Sequence, residues 1–386
     1  MNLHSSIPGL HLPQKSILRV SETCDRPVDV RLQEVLLVDE GDAHHGHGFG
    51  LVLNKSDRVG MRRTMHLPPD FGYVASGDIL RFSPHGDVSV LYRKNSPHNS
   101  MLVTEQCNSK CVMCSQPPRA IDDGYLVDEW LTAIPLMSSE TKELGITGGE
   151  PTLHFGRLLH LISATKQHLP CTSLHMLSNG RLFGYLKFAE RIAALRHPDF
   201  MIGIPLYSDV EDIHDFVVQA KGAFSQTILG LLNLGRVQQK IEIRFVIHQH
   251  TYKRLPHFAR FVSRNLPFVN HVALMGLELM GYARSNADAL WIDPFDYQVE
   301  LEEAVHILTS ARLNVSIYNT PLCLLPKPVW PLARKSISDW KNIYFPECST
   351  CNAQPLCAGF FASSEIRRSK HIRAVSEAEM LSSEAS

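Results

Sequence analysis

Three absences bound this chain before any motif is considered. Its 386 residues contain no apolar run near the roughly 20 residues that a bilayer span requires. Net charge is almost absent, with 38 Lys and Arg against 39 Asp and Glu, so no broad surface for nucleic acid or anionic membrane is expected. The opening MNLHSSIPGLHLPQKS has neither the basic start nor the continuous apolar stretch of a secretory leader, and a cytoplasmic setting is expected. What is present is a hydrophobic content of 44% and a charged content of 20%, in a chain long enough for two or three domains.

Nine cysteines in a reducing setting read as metal ligands rather than a disulfide framework. Cys24 and Cys171 stand apart and are expected to pack as small buried hydrophobes. The remainder form two groups. In the first, an apolar strand (Met101, Leu102, Val103) leads to Cys107, Cys111 and Cys114 in a CxxxCxxC loop stopped by Pro117 and Pro118. This group lacks a nearby fourth thiol. Iron-sulfur clusters are normally held by four thiolates, so such a loop leaves one iron open to a non-protein ligand. Zinc loops instead pair their cysteines as CxxC units. A zinc site and three packed thiols are the competing readings. The second group is Cys323, Cys348, Cys351 and Cys357, enough thiolates for one closed cluster or for zinc. Should Cys323 not join, an open iron there can take substrate.

Residues 1–98 alternate short apolar runs with turns rich in Gly, Asp and Pro, which predicts a small β-rich domain. Runs at 77–82 and 87–92, joined by Ser83-Pro84-His85-Gly86, predict a hairpin. Ala43-His44-His45-Gly46-His47-Gly48 reads as a polar loop rather than a metal site. From residue 99 to 318, strands are predicted at 101–105, 143–147, 173–178, 200–206, 241–247 and 271–277. Helices are predicted near 126–140, 154–168, 183–196, 213–236, 252–265 and 295–312, the last opened by Asp293-Pro294. Strand and helix in alternation imply an α/β fold, a partial (β/α)6 TIM-like barrel with its chemistry at the carboxyl ends of the strands. A cysteine-rich auxiliary-cluster region at 319–362 and a mobile tail at 363–386 complete the predicted organisation.

The second predicted barrel strand ends in Gly148-Gly149-Glu150-Pro151. Paired glycines let a ligand approach the backbone or supply positive φ, and a carboxylate beside them can accept from a cationic amine. Pro151 biases Glu150 towards extended backbone. Ser178-Asn179-Gly180 ends the third strand, a turn whose side chains can also meet ribose hydroxyls. Arg244 on the fifth strand can pair with a cofactor carboxylate or with a protein acid. Glu278 follows the sixth strand, at the end where substrate or cofactor is expected, and His214, His248 and His250 are further candidates for proton transfer.

Residues 101–317 resemble the radical SAM superfamily, on the CxxxCxxC loop and the Gly-Gly-Glu run. The resemblance implies a 4Fe-4S cluster on Cys107, Cys111 and Cys114. It also implies S-adenosylmethionine chelating the open iron, with its methionine amine against Gly148, Gly149 and Glu150. Met113 stands where the family often has an aromatic residue beside the adenine. More specifically, residues 107–118, 146–152 and Ser338-Asp339-Trp340-Lys341-Asn342 resemble the His-Xaa-Ser system radical SAM maturases, the HxsC family. That implies a peptide-modifying enzyme acting on a His-Xaa-Ser repeat protein beside a second radical SAM protein, HxsB, with an electron donor such as flavodoxin or ferredoxin. The C-terminal cysteines resemble part of a SPASM-type auxiliary region, with Phe361 where a further cysteine is expected, which implies one auxiliary 4Fe-4S cluster. A radical SAM enzyme for a small molecule or RNA, and a non-enzymatic iron-sulfur or zinc protein, are the alternatives.

Overall fold

The computed structural model describes residues 3–38, 48–54, 65–335 and 343–384. His44, His45 and His47, and the run Ser338–Asn342, lie outside the described residues.

The first sheet has seven strands: β1 (His4–Ser6), β2 (Ser16–Ser21), β3 (Glu34–Val38), β4 (Leu51–Asn54), β5 (Met65–His66), β6 (Ile79–Phe82) and β7 (Asp87–Tyr92). Their order is β1-β7-β6-β2-β3-β4-β5. The predicted hairpin is β6–β7, antiparallel, with Gly86 at φ +91° in its turn. A Cβ there would stand 2.7 Å from the Ile7 carbonyl, so only glycine fits. Strand alternation divides the side chains between two cores. Leu18, Val20, Leu80, Phe82 and Val88 fill a core belonging to this sheet, whereas Ile79 and Tyr92 join the core of the second sheet.

That second sheet is wholly parallel and follows chain order: β8 (Asn99–Leu102), β9 (Glu143–Thr147), β10 (Ser173–Leu177), β11 (Phe200–Pro205), β12 (Lys240–Ile247), β13 (His271–Gly276) and β14 (Val315–Tyr318). The six predicted strands are all there, and β14 is a seventh. It has four residues, too short for a visible period. Apolar residues at alternate positions, such as Ile202, Ile204, Ile241, Ile243 and Phe245, are buried in the main core. The helices Tyr125–Ala133, Phe155–His168, Leu186–Ala193, Ala223–Arg236, Leu255–Asn265 and Gln298–Ser310 alternate with the strands. The intervening strand positions carry His175, Gly203, Glu242, Arg244, Met275 and Tyr318, which share the other face through the registers Glu242↔His271 and Arg244↔Pro205. The result is an α/β fold with an open, partial barrel.

Three expectations need correction. The helix predicted over 213–236 is two, Glu211–Val218 and Ala223–Arg236, because Gln219 (φ +53°) and Gly222 (φ +74°) are left-handed and the Asp215 carboxylate caps Gly222 N and Phe224 N. Cys171 is exposed and Cys24 half-buried, so neither is a core residue. The stretch expected to be a mobile tail is instead packed. Val375 is 1% exposed, its carbonyl accepts from Asn352 N at 3.0 Å, His371 stacks on Phe295, and a helix runs over Glu377–Glu384. Asp293, as predicted, accepts from Phe295 N at 3.1 Å. No helix among the described residues is long and apolar enough to cross a membrane.

Candidate active site

The site begins with a strap. After β8, residues 104–106 run alongside Gly148-Gly149-Glu150, with Gly149 N donating to the Thr104 carbonyl at 2.8 Å and Glu150 N to the Gln106 carbonyl at 2.7 Å. The two backbones are so close that a Cβ on Gly149 would lie 2.1 Å from the Gln106 oxygen, and one on Gly148 would lie 2.7 Å from the Thr104 oxygen. Neither glycine has positive φ. Their role is backbone approach, and the backbone they admit is the strap that carries Cys107.

The other side of the strap is held by Asp123, a fully buried carboxylate. It accepts from Thr104 Oγ1 at 3.0 Å, from Glu105 N at 2.5 Å and from Gln106 Nε2 at 3.4 Å. No motif marks Asp123. It sits in an Asp-Asp-Gly turn whose evident sequence meaning is the start of the next helix.

Beyond the strap the cysteine loop is pinned by its backbone. Lys110 N and Val112 N donate to the carbonyls of Val218 and Val217, Tyr282 N donates to the Cys114 carbonyl at 2.8 Å, and Asn286 Nδ2 donates to the Val112 carbonyl at 2.8 Å. Asn179 Nδ2 reaches Asn108 Oδ1 at 2.6 Å, and Arg181 Nη1 reaches the Asn108 carbonyl at 2.7 Å and Ser109 Oγ at 3.1 Å. The three thiols face one cavity of about 320 Å³ at the carboxyl ends of the parallel strands. Burial pushes the Cys107 thiol up to about 11 and the Cys111 thiol to about 12, and raises Cys114. A bound cation reverses this by favouring the thiolate.

Glu150 occupies a different place from the one its motif suggests. Its backbone is extended, as Pro151 requires (φ −133°, ψ 103°), but its carboxylate is 1% exposed and does not line the cavity. Oε1 accepts from Thr152 N (3.0 Å), Thr152 Oγ1 (2.6 Å) and Ser178 Oγ (2.8 Å), and Oε2 accepts from Asn179 N (2.6 Å). Burial raises its pKa against these four bonds. An ionised carboxylate offers about four acceptor positions, so protein donors use them. Glu150 therefore shapes the Ser178-Asn179-Gly180 turn, in which Gly180 has φ +76°.

Met113, Gly148, Gly149, Ser178, Asn179, Arg244 and Glu278 do line the cavity. Arg244 also donates to Glu242 Oε1 at 2.7 Å and to Met275 Sδ at 3.2 Å. Glu242, 4% exposed, also meets His271 Nδ1 at 2.7 Å and stands 3.4 Å from His175 Nε2. Burial acts to raise its pKa, but the two imidazoles and Arg244 outweigh it and the carboxyl titrates well below its ordinary range. His214 and His248 are buried, held neutral by burial at about 4 and about 3, and neither lines the cavity. Several cavity residues carry no sequence signal, Tyr207 and Asn319 among them. Tyr207 stacks on His214, and Asn319 is held at φ +61°.

Among the described residues, no three His, Cys, Asp or Glu side chains converge tightly enough for a single metal ion. A 4Fe-4S cluster does not need that convergence, since each of its thiolates binds its own iron. Cys107, Cys111 and Cys114, lining one cavity, are the donor types such a cluster takes. Cys323, Cys348, Cys351 and Cys357 line a second, small cavity with Tyr344 and Arg373. Backbone N–H groups point at two of the sulfurs, Val375 N at Cys351 (3.3 Å), and Leu322 N and Gly359 N at Cys357 (3.4 Å each).

Residues 101–262 match the family model of the radical SAM superfamily. Similar solved structures include Streptococcus suis SuiB bound to S-adenosylmethionine, at 16% identity over 58% of this chain and 51% of that one, with a TM-score of 0.47. Another is anSMEcpe with bound AdoMet and a Cp18Cys peptide (17% identity, 56% and 62% of the two chains, TM-score 0.43). A third is the coproporphyrinogen III oxidase HemN of Escherichia coli (14% identity, 57% and 54%, TM-score 0.43). The chain spans about half the length of the SuiB chain it matches. Among curated proteins, none matches it.

Proposed function

We propose that this protein is a radical SAM enzyme that modifies a peptide. The observation that carries the first part is the joining of the two motifs. The strap leading to Cys107 is zipped to Gly148-Gly149-Glu150, and both open on one cavity at the carboxyl end of a parallel sheet. Cys107, Cys111 and Cys114 would hold a 4Fe-4S cluster, leaving one iron for S-adenosylmethionine. Together these groups would supply reductive cleavage of the sulfonium and the hydrogen abstraction from substrate that follows it. The chain's own residues bind, orient and exclude water. Gly148 and Gly149 bring backbone to the cavity wall, Ser178 and Asn179 offer polar atoms for the ribose, Met113 offers a polarizable face for adenine, and Arg244 offers a guanidinium for the carboxylate.

The test is anaerobic reconstitution followed by measurement of 5′-deoxyadenosine. Wild-type protein should form it and Cys114→Ala should not. Equal background from both overturns the reading.

The peptide substrate is inferred from the runs at 107–118 and 146–152, which resemble the HxsC maturases. On that reading the substrate carries His-Xaa-Ser repeats, HxsB is the partner, and flavodoxin or ferredoxin supplies the electron. Incubation with such a peptide and S-adenosylmethionine should change the peptide's mass, and an unchanged mass beside active cofactor cleavage removes the substrate assignment alone. For Cys323, Cys348, Cys351 and Cys357 we infer one auxiliary 4Fe-4S cluster, supported by their shared cavity and the N–H groups at the sulfurs. In a Cys107, Cys111, Cys114 to Ala variant, about four irons per chain should remain. Zinc alone identifies a zinc site instead.

A further inference from the structure

A further polar cavity, of about 220 Å³, shares no lining residue with either cysteine site and lies where the first sheet meets the barrel. Arg19 on β2, Arg26, Glu34 on β3 and Lys94 line it, together with Ser76 and Ser138, the last on the barrel side just before β9.

Glu34 is the buried centre of this site, at 1% exposure. Its Oε1 accepts from Arg19 Nη2 at 2.5 Å, Arg19 Nε at 3.2 Å and Arg26 Nη2 at 2.9 Å, and its Oε2 accepts from Arg26 Nε at 3.1 Å. Burial opposes ionisation of Glu34, but the two guanidiniums outweigh it and hold the carboxyl below its usual range. The carboxylate is thus ionised and balances one of the two arginines. Lys94 also lines the cavity, so three cationic residues line it against one acidic residue.

A guanidinium has five N–H donors. The bonds to Glu34 use Nε and Nη2 of each arginine, and Nη1 of each is without a hydrogen bond among the described residues. Lys94 reaches the cavity by crossing Gly77, which has φ +92° and where a Cβ would stand 2.6 Å from the lysine Cδ. The glycine is what lets the lysine stem pass over the backbone. Asp78 turns its oxygens to Ala75 N (3.1 Å) and Lys94 N (2.8 Å) and does not line the cavity.

We propose that this cavity binds a small dianionic oxyanion, a phosphate group. The charge surplus matches a dianion, and planar guanidinium forks suit phosphate oxygens. Ser76 and Ser138 supply hydroxyl donors at the rim. The volume is below the roughly 300–1,000 Å³ of ordinary small-molecule pockets, so it admits the anionic group and few further atoms. Because its walls come from both sheets, bound phosphate also cross-links them and stabilises their junction by linkage.

The test is calorimetric titration of the full-length chain with inorganic phosphate, O-phosphoserine and acetate. Phosphate should saturate one site, and acetate should bind at least about tenfold more weakly. Lys94→Gln should weaken phosphate by about tenfold. This variant leaves the Glu34 ion pairs intact, so the result is readable even if Arg26→Gln, which strips a buried carboxylate of a partner, fails to fold. Binding of O-phosphoserine as tight as that of phosphate marks a phosphomonoester as the ligand, and its exclusion marks free phosphate. No saturable binding, equal binding of acetate, or binding unchanged in Lys94→Gln overturns the proposal.

Discussion

Among the described glycines, Gly149 has the least room for a side chain. An added methyl would meet the Gln106 carbonyl at 2.1 Å, and that oxygen is backbone, so the strap itself must move. Gly149→Ala is expected to lose most bound iron after reconstitution while keeping its far-ultraviolet circular dichroism. Glu150→Gln is subtler. All four bonds to the carboxylate come from N–H or O–H donors, so an amide must turn an NH₂ towards at least one of them. One buried donor left without an acceptor costs about 1–3 kcal/mol, measurable as a shift in the urea midpoint. His214 predicts a pH dependence. Burial lowers its folded pKa to about 4, below the unfolded value of about 6.5. The unfolded chain then binds the extra proton first, and stability should fall as pH drops from about 6.5 towards 4. Urea unfolding across that range should show the slope, and His214→Gln should reduce it, leaving the share that buried His248, lowered to about 3, contributes.

At the scale of elements, the parallel strands were legible because each is bounded by turn residues and followed by a long helical period. β14 was not, being four residues long after a helix that reads as the end of the barrel. The break at Gln219–Gly222 was hidden because the apolar period on either side of it is nearly continuous. The site was legible where a residue type and a spacing carry the chemistry, as with Cys107, Cys111 and Cys114. It was illegible where the work is done by backbone. Nothing in the letters shows that Gly149 faces Gln106, that Asp123 holds the strap, or that the Glu150 carboxylate turns away from the cavity. Asp123→Asn puts this to the test. It replaces acceptor oxygen with donor NH₂ against Thr104, Glu105 or Gln106, and should broaden the electron paramagnetic resonance spectrum of the reduced protein and speed iron loss to a chelator. A spectrum identical to wild type would remove Asp123 from the set of positioning residues.

For the molecule as a whole, the two sheets share a core. Ile79 and Tyr92 of the first sheet pack with Met101, Val103 and Trp130 of the barrel, and Tyr92 Oη bonds Thr141 Oγ1 at 2.7 Å. Thermal unfolding is therefore expected as one transition rather than two, and Tyr92→Phe should lower its midpoint by a loss of about 1 kcal/mol. The C-terminal stretch is tied in similarly through Val375 and Cys351. A chain ended at Glu365 should retain less metal on Cys323, Cys348, Cys351 and Cys357 than the full chain, measured in the variant lacking the three loop thiols.

The strap also makes the two motifs one mechanical unit. Residues 104–106 are hydrogen-bonded to Gly148-Gly149-Glu150 alongside the register of β8 with β9, so any shift of β9 along the sheet carries the start of the cysteine loop with it. Burial raises the thiols of that loop, and a cation that binds them as thiolates displaces their protons. Loading the loop with iron should therefore acidify a weakly buffered solution, a signal that needs no cofactor turnover to be read.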